Sequence, residues 1–231
     1  MTRLARNRDT HLTPEEIAAE ALRQFDAGAT APSIRQLATA LGVAPSAIYH
    51  HYPSRAAIYQ AGVDLVWAEA TGDVVELIGD PFTADPAEVL IAAAVASRRT
   101  FMRHYRIAPY ASATPAGSGM MANVLALVAS LLERLGLEGE EAASAFHTYA
   151  LFTFGTIVFA ATRQIAHDEL GGGDGSFRSA PGEREARFSQ ERTRDAIDGV
   201  IDLSAIDPVR DEELFTAGLR RLIATFGAAG R

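Results

Sequence analysis

From Ala142 to Thr162 the chain carries no charged side chain, although Glu140, Glu141 and Arg163 flank the run. Between Phe146 and Ala161 its apolar residues fall on every face of a 3.6-residue helix rather than on one stripe. Such a helix has to be covered on all sides. By length alone the run also suits a membrane span. Ser144, His147, Thr148, Thr153 and Thr156 interrupt it, however, and a buried helix in a large core reads the same way. The expected environment is therefore protein, with no membrane.

The other segments supply helices to do the covering. Thr13-Pro14-Glu15-Glu16 is a capping box with proline in the first turn, and Ile17, Ala21, Leu22 and Phe25 follow at helical spacing up to Gly28. Ser33 caps a short helix that Gly42 stops. Pro45 opens another through about His51, and Ser54 caps a fourth that runs toward Ile78. Gly79-Asp80-Pro81 begins a hinge near 79–86, after which Asp85-Pro86 opens a helix containing Val89, Leu90, Ala93 and Phe101. Residues 107–111 form a short apolar piece, and 115–119 a loop. Val124, Val128, Leu131 and Leu135 mark one face of a further helix. Long helices are expected over 141–168 and 211–226, the latter with Phe215, Leu219, Leu222 and Phe226 on one face, and a charged helix over 183–198. A glycine-rich loop opens at Gly171. No alternating run reads as a strand, so the fold class is all-α.

Composition removes several chemistries. There is no cysteine, which excludes disulfides, thiol catalysis and cysteine-bound metal and suits a reducing cytoplasm. There is no lysine either, so a Schiff base or a Walker-type phosphate lysine is excluded. Arg3, Arg6 and Arg8 are not followed by an apolar core, so no export signal is expected and the location is cytoplasmic. The net charge of −8 is unevenly spread: residues 1–60 carry +1 and the remainder −9. No acid occurs between Asp26 and Asp64, a window holding Arg35, Arg55, His50 and His51. A base-rich module on an acidic body is suited to a polyanion.

Ser33–Tyr52, SIRQLATALGVAPSAIYHHY, lies in that window. It has the order helix, glycine turn, helix, with Leu37, Ala38, Val43 and Ile48 inward: the helix-turn-helix pattern. Pro45 presets the second helix, whose first residues would face the major groove. Ala44, Ser46, Ala47, Tyr49 and His50 are left for its outer face, with His51 and Tyr52 at its end. Hydroxyls, imidazoles and small apolar groups suit phosphates, base edges and thymine methyls. A plain helical hairpin would instead make Tyr49 and Tyr52 core residues.

Residues 13–67 resemble the N-terminal DNA-binding domain of the Tet repressor family, through SIRQLATALGV and then SAIYHHYPSRAAIY. The resemblance implies a third helix in the major groove and a phosphate contact from the basic residue opening helix four, here Arg55 in place of the usual lysine. It implies that Ser33 and Arg35 approach the groove. It divides the chain into a DNA-binding unit, 1–55, and a larger helical ligand-binding and dimerisation unit, 56–231. More weakly, YALFTFGTIVFAATRQ and DEELFTAGLRRLIATF resemble the family's dimer helices, which would cover the all-round apolar helix with a ligand core on one side and a partner copy on the other. The partners implied are a near-palindromic double-stranded DNA operator, a small-molecule effector and a second copy of the chain. Candidate effector contacts are Phe101, Met102, Tyr105, Tyr110, Phe152, Thr156 and Phe159, with His147 and Gln164 as polar anchors. Where a magnesium–tetracycline site would need a histidine and a glutamate, Tyr110 and Phe159 stand, so an apolar or aromatic effector is expected, with no metal and no cofactor.

Catalytic constellations are absent from this reading. Gly117-Ser118-Gly119 is not a nucleophile elbow and follows no strand. Gly171–Gly175 follows a helix, so it reads as a linker rather than a dinucleotide loop. His167, Asp168 and Glu169 are adjacent on a helix and point in different directions. The expectation is a ligand-released repressor and not an enzyme. The alternative is a helical small-molecule binder or enzyme-like protein that keeps a non-functional helix-turn-helix.

Overall fold

The computed structural model describes residues 12–111, 119–169 and 208–226. Among them there are only helices. The expected charged helix over 183–198, the glycine-rich loop from Gly171 and residues 115–118 of the expected 115–119 loop lie outside the described residues.

The N-terminal unit is built by local chemistry. Helix α1, Pro14–Asp26, starts on the expected box: the Glu16 amide donates to the Thr13 hydroxyl at 3.2 Å and the Thr13 amide to the Glu16 carboxylate at 3.0 Å. Helix α2, Ile34–Leu41, repeats the device between Ser33 and Gln36, and Gly42 closes it in the left-handed region at φ 70°. Helix α3, Pro45–His51, and helix α4, Arg55–Ile78, follow, with the Ser54 hydroxyl capping α4 through the Ala57 amide at 3.2 Å. Ile17, Ala21, Leu37, Ala38 and Ile48 close the small core of this unit, joined by Ile58 from α4.

Helix α4 does not stop at that unit. From Tyr59 to Ala70 its inward face belongs to a second core, together with Phe25 from the last turn of α1. Phe101 of α5 (Pro86–Arg103), Ile107, α6 (Ala108–Ala111), Met121 of α7 (Gly119–Arg134) and Ile157 of α8 (Gly139–Glu169) complete it. No linker separates the two units: Phe25, Tyr59 and Tyr110 form a ring triad with centroids 5.0, 5.4 and 4.9 Å apart. The Tyr59 hydroxyl, buried, donates to the Pro32 carbonyl at 2.7 Å and so ties α4 to the α1–α2 turn. At Gly62 a Cβ would lie 2.8 Å from Ile107 Cδ1, so any larger residue there would push the Ile107 side chain aside.

A third core joins α5, α7, α8 and α9 (Pro208–Thr225), and the Tyr149 hydroxyl crosses it to the Leu90 carbonyl at 2.8 Å. Arginines clamp α9 to α5: Arg98 pairs with Asp211 and sits 5.3 Å from the Phe215 ring, Arg99 pairs with Glu212 at 2.6 Å, and Arg220 with Glu88 at 3.0 Å. On α9 the buried stripe is Phe215, Leu219 and Ile223. Leu222, expected there, is only half-buried, because steps of four follow the groove this helix meets. The start of α7 was expected to be loop as far as Gly119. The helix instead begins at Gly119, because the Asp64 carboxylate accepts the Met120 amide at 3.2 Å and caps it from α4.

Phe25 is fully buried between the units, so Phe25→Ala leaves a cavity under Tyr59 and Tyr110. The expected cost is about 3–5 kcal/mol, read as a fall in the denaturant midpoint.

Candidate nucleic-acid interface

The helix-turn-helix is anchored from beneath and open above. Ile48 is fully buried and fixes α3 on the small core, while Ala44, Pro45, Ser46 and His50 are exposed and Tyr49 is 55% exposed. Ala47 and His51 are half-buried, and the His50 and His51 rings meet edge-on at 5.6 Å. Tyr52 is half-buried and its hydroxyl donates to the Pro14 carbonyl at 3.1 Å, so this side chain also braces α3 against α1. The Ser33 hydroxyl is engaged as the α2 cap. A single α3 therefore presents small groups, one phenol and one imidazole to solvent, with the backbone start of the helix among them.

The charges around it are arranged differently from most of those elsewhere in the chain. Arg23, Arg98, Arg99, Arg103, Arg106, Arg210 and Arg220 all pair with carboxylates. Arg35 on α2 and Arg55 at the first position of α4 are exposed and form no ion pair among the described residues. The Arg55 guanidinium lies 5.8 Å from the Tyr59 ring centroid, which holds it against α4 without neutralising it. Two permanent, unneutralised cations in an acid-free window flank the open helix in the chain. That is an arrangement for accepting phosphates from solvent.

The nine candidate effector contacts do not converge on one cavity. Phe101 is fully buried, edge-on to Trp67 at 4.8 Å. Tyr105 donates to Asp168, to which Gln164 also donates at 3.0 Å, and Arg106 pairs with the same carboxylate at 2.8 Å. These hydrogen bonds, from Tyr105 first and Gln164 next, hold the Asp168 carboxyl below its usual range. Phe152 stacks on Phe215 at 5.6 Å, across α8 and α9. The Thr156 hydroxyl is turned back onto its own helix, toward the Phe152 and Thr153 carbonyls at 2.9 Å. His147 is exposed, Phe159 is 55% exposed, and Met102 is half-buried on α5. Tyr110 lines a cavity of about 400 Å³ with Ser54, Arg55, Ala56, Tyr59 and Gln60, at the junction of the two units. Sequence reasoning missed Tyr59 as a wall of that cavity. Its helical spacing from Val63 and Val66 gave the signal for burial but not for what lies beside it.

Residues 17–61 match the family model of the bacterial regulatory proteins of the tetR family. No curated protein matches the sequence significantly. Among solved structures, the chain superimposes on the TetR family protein ActR of Streptomyces coelicolor in complex with (S)-DNPA. The TM-score is 0.69 at 23% identity, covering 94% of this chain and 98% of that one. A possible TetR family transcriptional regulator from Streptomyces coelicolor A3(2) gives a TM-score of 0.72 at 19% identity, covering 94% and 100%. BioQ of Mycobacterium smegmatis gives 0.65 at 17%, covering 94% and 99%. The matched segment holds most of α1, then α2, α3 and the opening of α4, and the fold likeness runs over nearly the whole length. Residues 17–61 thus match the tetR family of bacterial regulatory proteins, and the fold of nearly the whole chain is the one seen in these structures.

Proposed function

We propose that this chain is a transcriptional repressor that binds a near-palindromic operator as a homodimer and is released by a small apolar or aromatic molecule, without metal or cofactor. The observation that carries the DNA reading is the pair of unneutralised arginines, Arg35 and Arg55, around an α3 whose outer face is open. In that reading Ala44, Pro45, Ser46, Ala47, Tyr49 and His50 face bases and sugars. Arg35, Arg55 and the α3 end hold phosphates, and Ser33 and Tyr52 brace the two helices. Methyl and shape contacts supply part of the specificity, since few side chains on α3 can donate.

The dimer reading rests on α8 and α9. Leu151 and Phe159 on α8 and Leu214 on α9 remain 46–60% exposed, and α8 is long and apolar enough to cross a membrane by composition. A second copy covers them and leaves a water-soluble particle in the cytoplasm, whereas a lone copy exposes an apolar strip to water. The effector reading rests on Met102, Tyr105, Thr156 and Gln164, which stay half-buried about α5 and α8, and on ActR, which is known in complex with (S)-DNPA and with actinorhodin. An effector there shifts the population toward a dimer whose α3 helices no longer match successive major grooves, about 34–36 Å apart. Helix α4 transmits the shift, because it belongs to both cores.

The decisive experiment is selection of bound sequences from random duplex DNA by the full chain. An enriched inverted repeat is expected, and its absence at moderate salt overturns the reading. Arg55→Ala should weaken selected and random duplexes alike and lower the salt slope by about one. Tyr49→Ala should instead blur the selected motif. For the dimer, Leu151→Asp places a charge in the covered strip. Sedimentation should then show monomer at micromolar concentration where the wild type is dimeric, and a wild type that sediments as a folded monomer contradicts the assembly.

A further inference from the structure

Where α4 leaves the N-terminal unit, a cavity of about 400 Å³ opens between its first turns and Tyr110 of α6. Ser54, Arg55, Ala56, Tyr59 and Gln60 line it from one element and Tyr110 from the other. Small-molecule sites usually span about 300–1,000 Å³, so the volume suits one. None of Met102, Tyr105, Thr156 and Gln164, on which the effector reading rests, lines this cavity.

Two rings and one cation set its chemistry. The Tyr59 and Tyr110 rings meet edge-to-face with centroids 4.9 Å apart, and Phe25 packs on both at 5.0 and 5.4 Å. The aromatic wall is therefore fixed before anything binds. Both phenols are engaged by carbonyls outside the lining, Tyr59 with Pro32 at 2.7 Å and Tyr110 with Thr30 at 3.5 Å, so the wall offers ring carbon. The Arg55 guanidinium stands at that wall, 5.8 Å from the Tyr59 centroid. No carboxylate is among the six lining residues. The Ser54 hydroxyl accepts the Ala57 amide at 3.2 Å, which leaves its own proton to donate.

A permanent cation beside an aromatic wall, with no built-in anion to meet it, matches an anion with an aromatic body. An aromatic carboxylate satisfies both halves. Its ring packs on Tyr59 and Tyr110, and its carboxylate takes the planar fork of Arg55 through paired hydrogen bonds. A neutral aromatic would leave the guanidinium without an anion, and an inorganic anion would leave the wall wet.

We propose that this cavity is a second small-molecule site, for a planar aromatic carboxylate, and that its occupant competes with DNA for Arg55. The competition rests on the DNA-binding reading given above, whereas the site does not. Control through it differs in kind from an effector in the helical body. A body effector changes the setting of α3 by way of α4. An occupant here takes the guanidinium that a phosphate needs, so it and the DNA weaken each other by the same factor.

The test titrates naphthoate, and beside it the uncharged naphthamide, into the full chain at neutral pH by calorimetry, as wild type, Arg55→Gln and Ala56→Leu. The wild type should prefer naphthoate to naphthamide by about tenfold or more, the factor that a charge-assisted hydrogen bond supplies. Arg55→Gln should lose that preference. Ala56→Leu keeps Arg55 but places a branched side chain in the cavity, and should lose naphthoate as well. Its melting temperature should stay near that of the wild type, because Ala56 is exposed on the first turn of α4. On a duplex chosen by selection, saturating naphthoate should weaken the wild type by the factor that Arg55→Gln costs, and should leave Arg55→Gln unaffected. Naphthoate that does not bind the wild type, or that binds both variants equally well, overturns the site. Naphthoate that binds as expected while duplex affinity stays constant overturns the competition. If no form selects any duplex, the DNA-binding reading falls and the competition with it, while the titrations alone decide the site.

Discussion

The contact on which the rest of this structure depends is the ring triad of Phe25, Tyr59 and Tyr110. Each ring comes from a different part of the chain: the last turn of α1, the second turn of α4, and α6. Edge-on packing at 5 Å gives the triad direction as well as burial. The Tyr59 hydroxyl adds a bond to Pro32, so the turn leading into α2 is fixed from the same point. The DNA-side unit is thus not a bead on a string. Its orientation is set by side chains that belong equally to the body.

Charge is distributed with the same division of labour. On the body, arginine meets carboxylate across α5–α9, α4–α5 and the 106–168 contact, and these pairs join helices distant in sequence. Exposed pairs of this kind contribute little stability each, whereas Arg98, nearly buried between Asp211, Phe215 and the Thr156 carbonyl, is a contact whose disruption would strand a charge. In the helix-turn-helix the pattern reverses, and cations are kept clear of acids. Because the chain has no lysine, each of these cations is an arginine, and none of them can be switched off by deprotonation.

What could be read from the sequence is what local chemistry determines. The box at Thr13, the cap at Ser33, the stop at Gly42 and the proline start at Pro45 each involve residues within four positions of one another, and each was legible. The illegible parts are contacts made at a distance. The cap on α7 comes from Asp64, 56 positions upstream, and the carboxylates about His104 lie 78 and 35 positions away. Tyr52 and Ser33 were grouped with groove-facing residues because their types suit phosphates, but the structure also uses each to brace a helix. The aromatic candidates for the effector were chosen by type and proximity in sequence, and helix packing then sent Phe101 inward, Phe159 outward and Phe152 to a seam with α9.

Gly62 is the place where α4 meets the tip of the Ile107 side chain with only a hydrogen between them, a contact point along a 24-residue rod. At 1.5 Å per residue, about 10 Å of α4 lies on the DNA side of that point and about 24 Å on the other. A tilt about Gly62 would therefore move the Ile78 end more than twice as far as the Arg55 end. Such a lever trades travel for force: a wide, soft displacement deep in the body would arrive at the recognition helix as a short, stiff one, on the scale over which a bidentate contact to a phosphate is made or lost.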